Sequence, residues 1–211
     1  MTIYDISMPI HRDMPVYRGR EGKRPTHHLD KQMPKDAINE TSITMNLHTG
    51  THLDTPRHMM QDGWTMEDMP LEKLITRCKL FDLSHAQDAI TRDDVINLPI
   101  GKDDFVLLRS QNSAGRVGDA DFVYIRKDAA EYLADIGIKG IGTDALGVER
   151  DQPGHPTHLA FLKNDIIILE GLALADVPAG EYTLIALPIL INNAEGAPAR
   201  AVLIDNLSDL I

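Results

Sequence analysis

The stretch Leu47-His48-Thr49-Gly50-Thr51-His52-Leu53-Asp54-Thr55-Pro56-Arg57-His58 constrains this chain more than any other. Three of the nine histidines fall within it, with an aspartate between the second and the third. His48, His52 and Asp54 supply two imidazoles and a carboxylate, a ligand set suited to Zn²⁺ or a similar divalent ion. Side chains at these spacings converge only if the backbone turns sharply. Gly50 admits backbone angles closed to other residues, and Pro56 fixes its own φ while biasing Thr55 toward an extended form. Upstream, Ser42 to His48 alternates polar and apolar with the period of a half-buried strand, which predicts His48 at a strand end, pointing away from Ile43, Met45 and Leu47. His58 lies beyond the turn, where a histidine free of the metal is suited to carry a proton near neutral pH.

The rest of the composition narrows the function classes. With 211 residues the chain has enough length for a sizeable core and reads as one domain, 1–211. A formal net charge of −11 repels phosphate backbones, so nucleic acid is not an expected partner. The basic cluster from Arg18 to Arg24 contains Glu21 and two glycines and reads as a solvated loop. No apolar run has the length of a membrane span, and the opening residues lack the pattern of a signal peptide. The single cysteine, Cys78, forms no intrachain disulfide and reads as a small core residue. A cytoplasmic protein acting on a small molecule is expected.

Along the chain, strands are predicted at Ile3 to Ser7, Lys79 to Leu83, Phe105 to Leu108, Gly140 to Asp144, Ile166 to Leu169, Tyr182 to Leu187 and Ala201 to Ile204. The span from His27 to Glu40 shows no period and reads as irregular, with His27 and His28 on the surface. Short helices are expected at Leu71 to Ile75 and from Arg92 to Asn97, where Thr91 and Asp94 have capping-box spacing. The best helix starts at Asp128, with Ala129, Leu133 and Ile136 on one side and Gly137 closing it. Strands outnumber helices, which points to an α/β fold with a mixed sheet.

A second constellation lies downstream. His158 follows His155-Pro156-Thr157, and Glu170 ends the apolar run Ile166 to Leu169, where a strand leaves the core. Together they open a second metal position, with Asp54 able to bridge two ions about 3.5–4 Å apart.

At this point the sequence resembles a known family. The motif from His48 to His58 is similar to the signature of the metal-dependent cyclase family, which includes bacterial kynurenine formamidases and isatin hydrolases. Supporting matches are Asp5 to Ile10, Met14 to Tyr17, Gly142-Thr143-Asp144 and the spacing from His158 to Glu170. The resemblance implies a single compact domain with a mixed, barrel-like β-sheet and a few helices, of the swivelling β/β/α kind. It implies one metal held by His48, His52 and Asp54, a second held by Asp54, His158 and Glu170, and His58 as acid/base. Homodimers or homotetramers are usual in such a family. Tyr17-Arg18-Gly19-Arg20 stands where the formamidases tend to have Trp-Pro-Gly-Asp, and Thr55 where many members have Ala. Both departures touch the substrate pocket.

The expected activity is hydrolysis of an amide-type C–N bond, with an aryl formamide such as N-formylkynurenine as substrate and Tyr17 and Trp64 against its ring. Zn²⁺ is the expected cofactor, with Mn²⁺ an alternative and one or two ions per chain. The competing readings are opening of a cyclic amide such as isatin, ring closure of another small molecule, and a non-catalytic metal-binding module. A closed structural zinc site wants four protein ligands and usually cysteine, neither of which the compact motif offers.

Overall fold

The structure is a computed structural model that describes residues 1–205. In chain order its elements are β1 (Ile3–Asp5), β2 (Thr26–Lys31), β3 (Glu40–Thr44), β4 (His52–Asp54), β5 (Ile75–Asp82), β6 (Ala89–Ile90), α1 (Arg92–Val95), β7 (Phe105–Arg109), β8 (Tyr124–Ile125), α2 (Lys127–Ile136), β9 (Gly140–Thr143), α3 (Pro156–Leu162), β10 (Ile167–Glu170), β11 (Gly180–Pro188) and β12 (Gly196–Ile204). Hydrogen bonding runs β12–β11–β5–β7–β9–β10–β4 and back to β12, closing a seven-stranded barrel. Strand β1 pairs with the remaining length of β12. The four strands from β5 to β10 in this ring are parallel, and the other pairings are antiparallel. The sheet is mixed, as the strand-rich pattern implied.

Alternation along each strand divides the apolar residues between two cores. Leu53, Phe105, Leu107, Leu169, Ala197 and Leu203 fill the barrel. Val106, Leu108, Ile141 and Ile168, on the opposite face of the same strands, pack outward against Ala129, Ala130 and Leu133 of α2 and Phe161 and Leu162 of α3. Space inside the barrel is allotted by pairing large with small: Phe105 lies beside Gly140 and Leu107 beside Gly142. A Cβ on Gly140 would stand 2.2 Å from the Phe105 ring, and one on Gly142 would stand 2.4 Å from Leu107.

Helix α2 ends where its glycine places it, at Gly137, and the Thr91–Asp94 capping box is formed. Cys78 is buried in the barrel core, and burial pushes its thiol up to about 12, so it stays protonated and packs as an apolar group. Two local expectations are corrected. Residues 27–31 are not irregular but form β2, which pairs antiparallel with β3 in a hairpin exposed on both faces, while residues 32–39 between the two strands are turn, as expected. The strand containing Ser42 ends at Thr44, so His48 lies in a turn and not at a strand end. The alternation there is real, but Ile43, at 45% exposure, buries nothing.

The motif turn is held against the residue that follows β10. Gly171 sits at φ +69°, and a Cβ there would lie 2.2 Å from the Gly50 carbonyl oxygen. The Thr51 hydroxyl donates to the Gly171 carbonyl at 2.5 Å and accepts from the Met8 N–H at 2.8 Å. Gly171→Ala combines a left-handed backbone angle with a backbone clash, and it should cost about 2–4 kcal/mol. A urea midpoint that falls at unchanged slope is the expected result; an unmoved midpoint would mean this approach is not tight.

Candidate metal centre

Strand β4 carries the centre on one face and the core on the other. Leu53 points into the barrel, so His52 and Asp54 share the outer face. On one side β4 pairs antiparallel with β10, placing Glu170 directly opposite His52. On the other it pairs with β12, where Gly196 stands opposite Asp54; a Cβ at Gly196 would come within 2.9 Å of the His48 ring. The turn from Leu47 to Thr51 folds His48 back over this face, and α3 brings His158 down onto it.

The sequence-predicted ligands converge on the Asp54 carboxylate. His48 Nδ1 lies 2.8 Å from Asp54 Oδ1, and His52 Nε2 lies 3.4 Å from the same oxygen. His52 Nε2 is 3.2 Å from Glu170 Oε2. His158 Nε2 is 3.8 Å from Asp54 Oδ2 and 3.7 Å from Glu170 Oε1. Donors bound at 2.0–2.2 Å to one ion can be at most about 4.3 Å apart, so each of these pairs can share a cation. His52, Asp54, Glu170 and His158 are all buried.

Two histidines have their tautomers set from outside the centre. His52 Nδ1 lies 2.9 Å from the Gly50 carbonyl oxygen, which only accepts, so Nδ1 carries the proton and the Nε2 lone pair points at the carboxylates. His158 Nδ1 lies 2.7 Å from Glu149 Oε2, which orients its Nε2 in the same way. His48 Nε2, His52 Nε2 and Asp54 Oδ2 are buried without a hydrogen-bond partner among the described residues. A buried lone pair facing a buried carboxylate calls for a cation between them.

The electrostatics make the same demand. Burial disfavours charge on Asp54, but the His48 and His52 imidazoles outweigh it and hold the carboxyl well below the usual range. Glu170 is held down to about 2: burial and Asp54 oppose ionisation, and His158 and His52 overcome them. Burial likewise works against protonation of His52 and His158. It is outweighed at His52 by Asp54 and Glu170, and at His158 by Glu149 and Glu170, pushing each imidazole up to about 10. Ionised carboxylates surrounded by imidazoles that draw in protons form a site short of positive charge. A divalent cation fits these residues.

His58 follows Pro56 at the end of a short 3₁₀ turn and is half-buried. Its ring centroid lies 4.2 Å from that of His48 and 5.8 Å from that of His158. One donor atom each of His48, Asp54 and His58 falls within 4.8 Å of the others. Burial, reinforced by His48 and His158, holds the His58 pKa below the ordinary histidine value, so its imidazole is neutral at pH 7.

A cleft of about 240 Å³ opens onto His48, His58, His158 and Glu170. Tyr17 lines it, half-buried, with its hydroxyl 3.3 Å from the Glu149 carbonyl oxygen. Trp64 does not line it: the indole packs on the barrel core, and its Nε1–H donates to Asp165 Oδ1 at 3.3 Å. The expected contact of Trp64 with a substrate ring is therefore corrected. His27 and His28 are exposed on the hairpin, as expected of surface residues.

Three features were not read from the sequence. Glu149, buried, accepts from the Thr157 N–H at 3.1 Å as well as orienting His158. It lies in Gly147-Val148-Glu149-Arg150, with no spacing that ties it to a histidine nine residues on. Arg20 and Lys23 also line the cleft, although their segment reads as a solvated loop. Asp144 is buried and accepts hydrogen bonds from Ser110, Asn112 and Ser113, so it anchors the neighbouring turn and does not face the metal centre.

Comparison with known proteins places the chain in a family of known fold. The profile of the Cyclase family matches residues 4–150. A kynurenine formamidase of Sphingopyxis alaskensis is 35% identical over 95% of this chain and 97% of its own. A solved structure from Bacillus stearothermophilus, described as a "predicted metal-dependent hydrolase", superposes with a TM-score of 0.88 at 44% identity, covering 96% of this chain and 97% of that one. Isatin hydrolase A from Labrenzia aggregata shares the fold, with a TM-score of 0.83 at 24% identity over 96% of this chain and 93% of its own.

Glu149→Gln removes the charge that orients His158 while keeping the side-chain volume. The substitution should weaken metal binding about 10–100-fold. Competitive titration against a chromophoric chelator measures it; unchanged affinity would show that Glu149 does not act through His158.

Proposed function

The chain belongs to the Cyclase family of metal-dependent hydrolases, and on that premise we propose that it hydrolyses the C–N bond of an aryl formamide of the N-formylkynurenine type. The observation that carries this reading is the single face of β4, where His52 and Asp54 meet Glu170 across the strand pair and His52 Nε2 and Asp54 Oδ2 have no hydrogen-bond partner among the described residues. We assign His48, His52 and Asp54 to one ion and Asp54, His158 and Glu170 to a second when two are bound. Zn²⁺ suits these ligands best, with Mn²⁺ also accommodated by the carboxylates.

When bound, a divalent cation lowers the pKa of a water it holds from 15.7 to about 7 and polarises a carbonyl beside it. The protein's own groups do the rest. His58, neutral and at the cleft wall, accepts a proton from the attacking water. As the C–N bond breaks, it returns that proton to the departing nitrogen, leaving formate and a free aryl amine. Tyr17 offers a flat wall for the aryl ring; burial raises its hydroxyl above the ordinary tyrosine value, so it stays neutral. Glu149 and the Gly50 carbonyl keep two imidazoles oriented throughout.

The same reading extends to the protein's setting. A homodimer or homotetramer is supported by the exposed apolar side chains of Leu187, Ile189 and Leu190 on one stretch of surface. A cytoplasmic location is supported by the lone buried thiol of Cys78. Among the described residues no helix is long and apolar enough to cross a membrane.

Metal-loaded protein should turn over N-formylkynurenine in preference to isatin, lose turnover on chelation and regain it with Zn²⁺ or Mn²⁺. His58→Ala should reduce kcat about 10²–10⁴-fold while the bound metal is retained. Loss of metal in that variant would make His58 a ligand. Failure to hydrolyse any aryl formamide would overturn the reading.

A further inference from the structure

The basic segment from Arg18 to Arg24 divides its charges in two. Arg18 is ion-paired with Asp151, and Arg24 is held by both carboxylate oxygens of Glu21 and by the Met14 carbonyl. These two pin the segment to the body of the protein. Arg20 and Lys23 have no carboxylate partner among the described residues, and both line the cleft that opens on His58, His158 and Glu170. Each stands over the Tyr17 ring, the Arg20 guanidinium carbon 5.7 Å and the Lys23 ammonium 5.5 Å from its centroid. The ring is fixed in turn. It packs edge-on against Phe122 at 5.7 Å, and a Cβ on Gly147 would come within 2.9 Å of it.

A chain with a net charge of −11 has no shortage of carboxylates to pair these cations. Two of them left without one, at the mouth of a cleft whose floor is a metal centre, mark a place where an anion from outside is received. The guanidinium presents a planar fork that matches a carboxylate bidentately, and the ammonium adds a point charge on a flexible stem. Tyr17 lies beside both, so an aryl group and an anion attached to it by a short chain can be held together.

We propose that Arg20 and Lys23 are the specificity-determining residues of the cleft, binding the carboxylate of an aryl formamide that carries one on a short side chain. This rests on the formamidase reading and names the residues of this chain that would hold the carboxylate of such a substrate. Among the described residues neither side chain has a hydrogen bond or an ion pair, so their replacement should leave the protein folded.

The test compares wild type with Arg20→Ala/Lys23→Ala on N-formylkynurenine, which has the carboxylate, and formanilide, which has none. The wild-type preference for N-formylkynurenine, expressed as a ratio of kcat/KM values, should fall about tenfold or more, mainly through KM. Arg20→Glu should lower it further. An unchanged ratio would overturn the proposal even if both substrates are hydrolysed. If neither is hydrolysed, the formamidase reading fails separately, and calorimetry decides the inference. Metal-loaded wild type should then bind 4-oxo-4-phenylbutanoate at least about tenfold more tightly than its primary amide, and the double variant should not. Equal binding of the two compounds by wild type would overturn it.

Discussion

The structure depends on one buried carboxylate. Asp54 is within ion-pair distance of His48, His52 and His158, and it stands 1% exposed on the outer face of a barrel strand. An isolated charge in that position would be prohibitively costly, so it is tolerated only because cationic partners surround it. Imidazoles fill that need in part, but Asp54 Oδ2 and the His52 Nε2 that faces it remain without a hydrogen-bond partner among the described residues. A divalent cation held by His52, Asp54 and Glu170, whose donor atoms lie within 4.8 Å of one another, would satisfy both. The electrostatic demand and the chemistry the centre performs are thus the same property of the same atoms.

The barrel makes this possible by giving a three-residue strand two duties. Leu53 and its neighbours Leu169 and Ala197 close the interior, while His52, Asp54 and Glu170 are carried on the other face. Because β4 is paired on both sides, the ligands cannot drift apart without opening the ring. Helix α3 adds His158 from outside, and Glu149, from the loop that precedes that helix, fixes its ring. The rigid parts of the site therefore come from strands, and the groups that face substrate come from loops. That division is common where a scaffold positions chemistry.

Much of this was legible in the sequence, and the reasons differ by residue. The convergence of His48, His52 and Asp54 was readable because two imidazoles and a carboxylate in so short a stretch meet once the backbone turns, even though His48 sits in the turn itself. The long apolar runs that became β7 and β10 were readable because burial on both faces leaves no polar position. Strand β2 shows no period because neither face of the hairpin is buried, whereas the end of β3 is legible in the alternation that starts at Ser42. Glu149 was missed because its partner is met through tertiary packing. Arg20 and Lys23 read as part of a solvated loop because charge alone does not say which cations find partners. Trp64 was read toward the cleft because an indole near a motif suggests a ring contact, whereas its apolar face serves the barrel core.

A barrel strand that presents unmatched nitrogen and oxygen lone pairs to one point makes a claim about where an ion must lie. The direct measurement is anomalous diffraction at the zinc edge from crystals grown with Zn²⁺. The account predicts a peak within about 2.0–2.2 Å of an Asp54 oxygen and of an imidazole nitrogen of His48, His52 or His158. A fully occupied ion elsewhere, with Asp54 still paired only to protonated histidines, would contradict it.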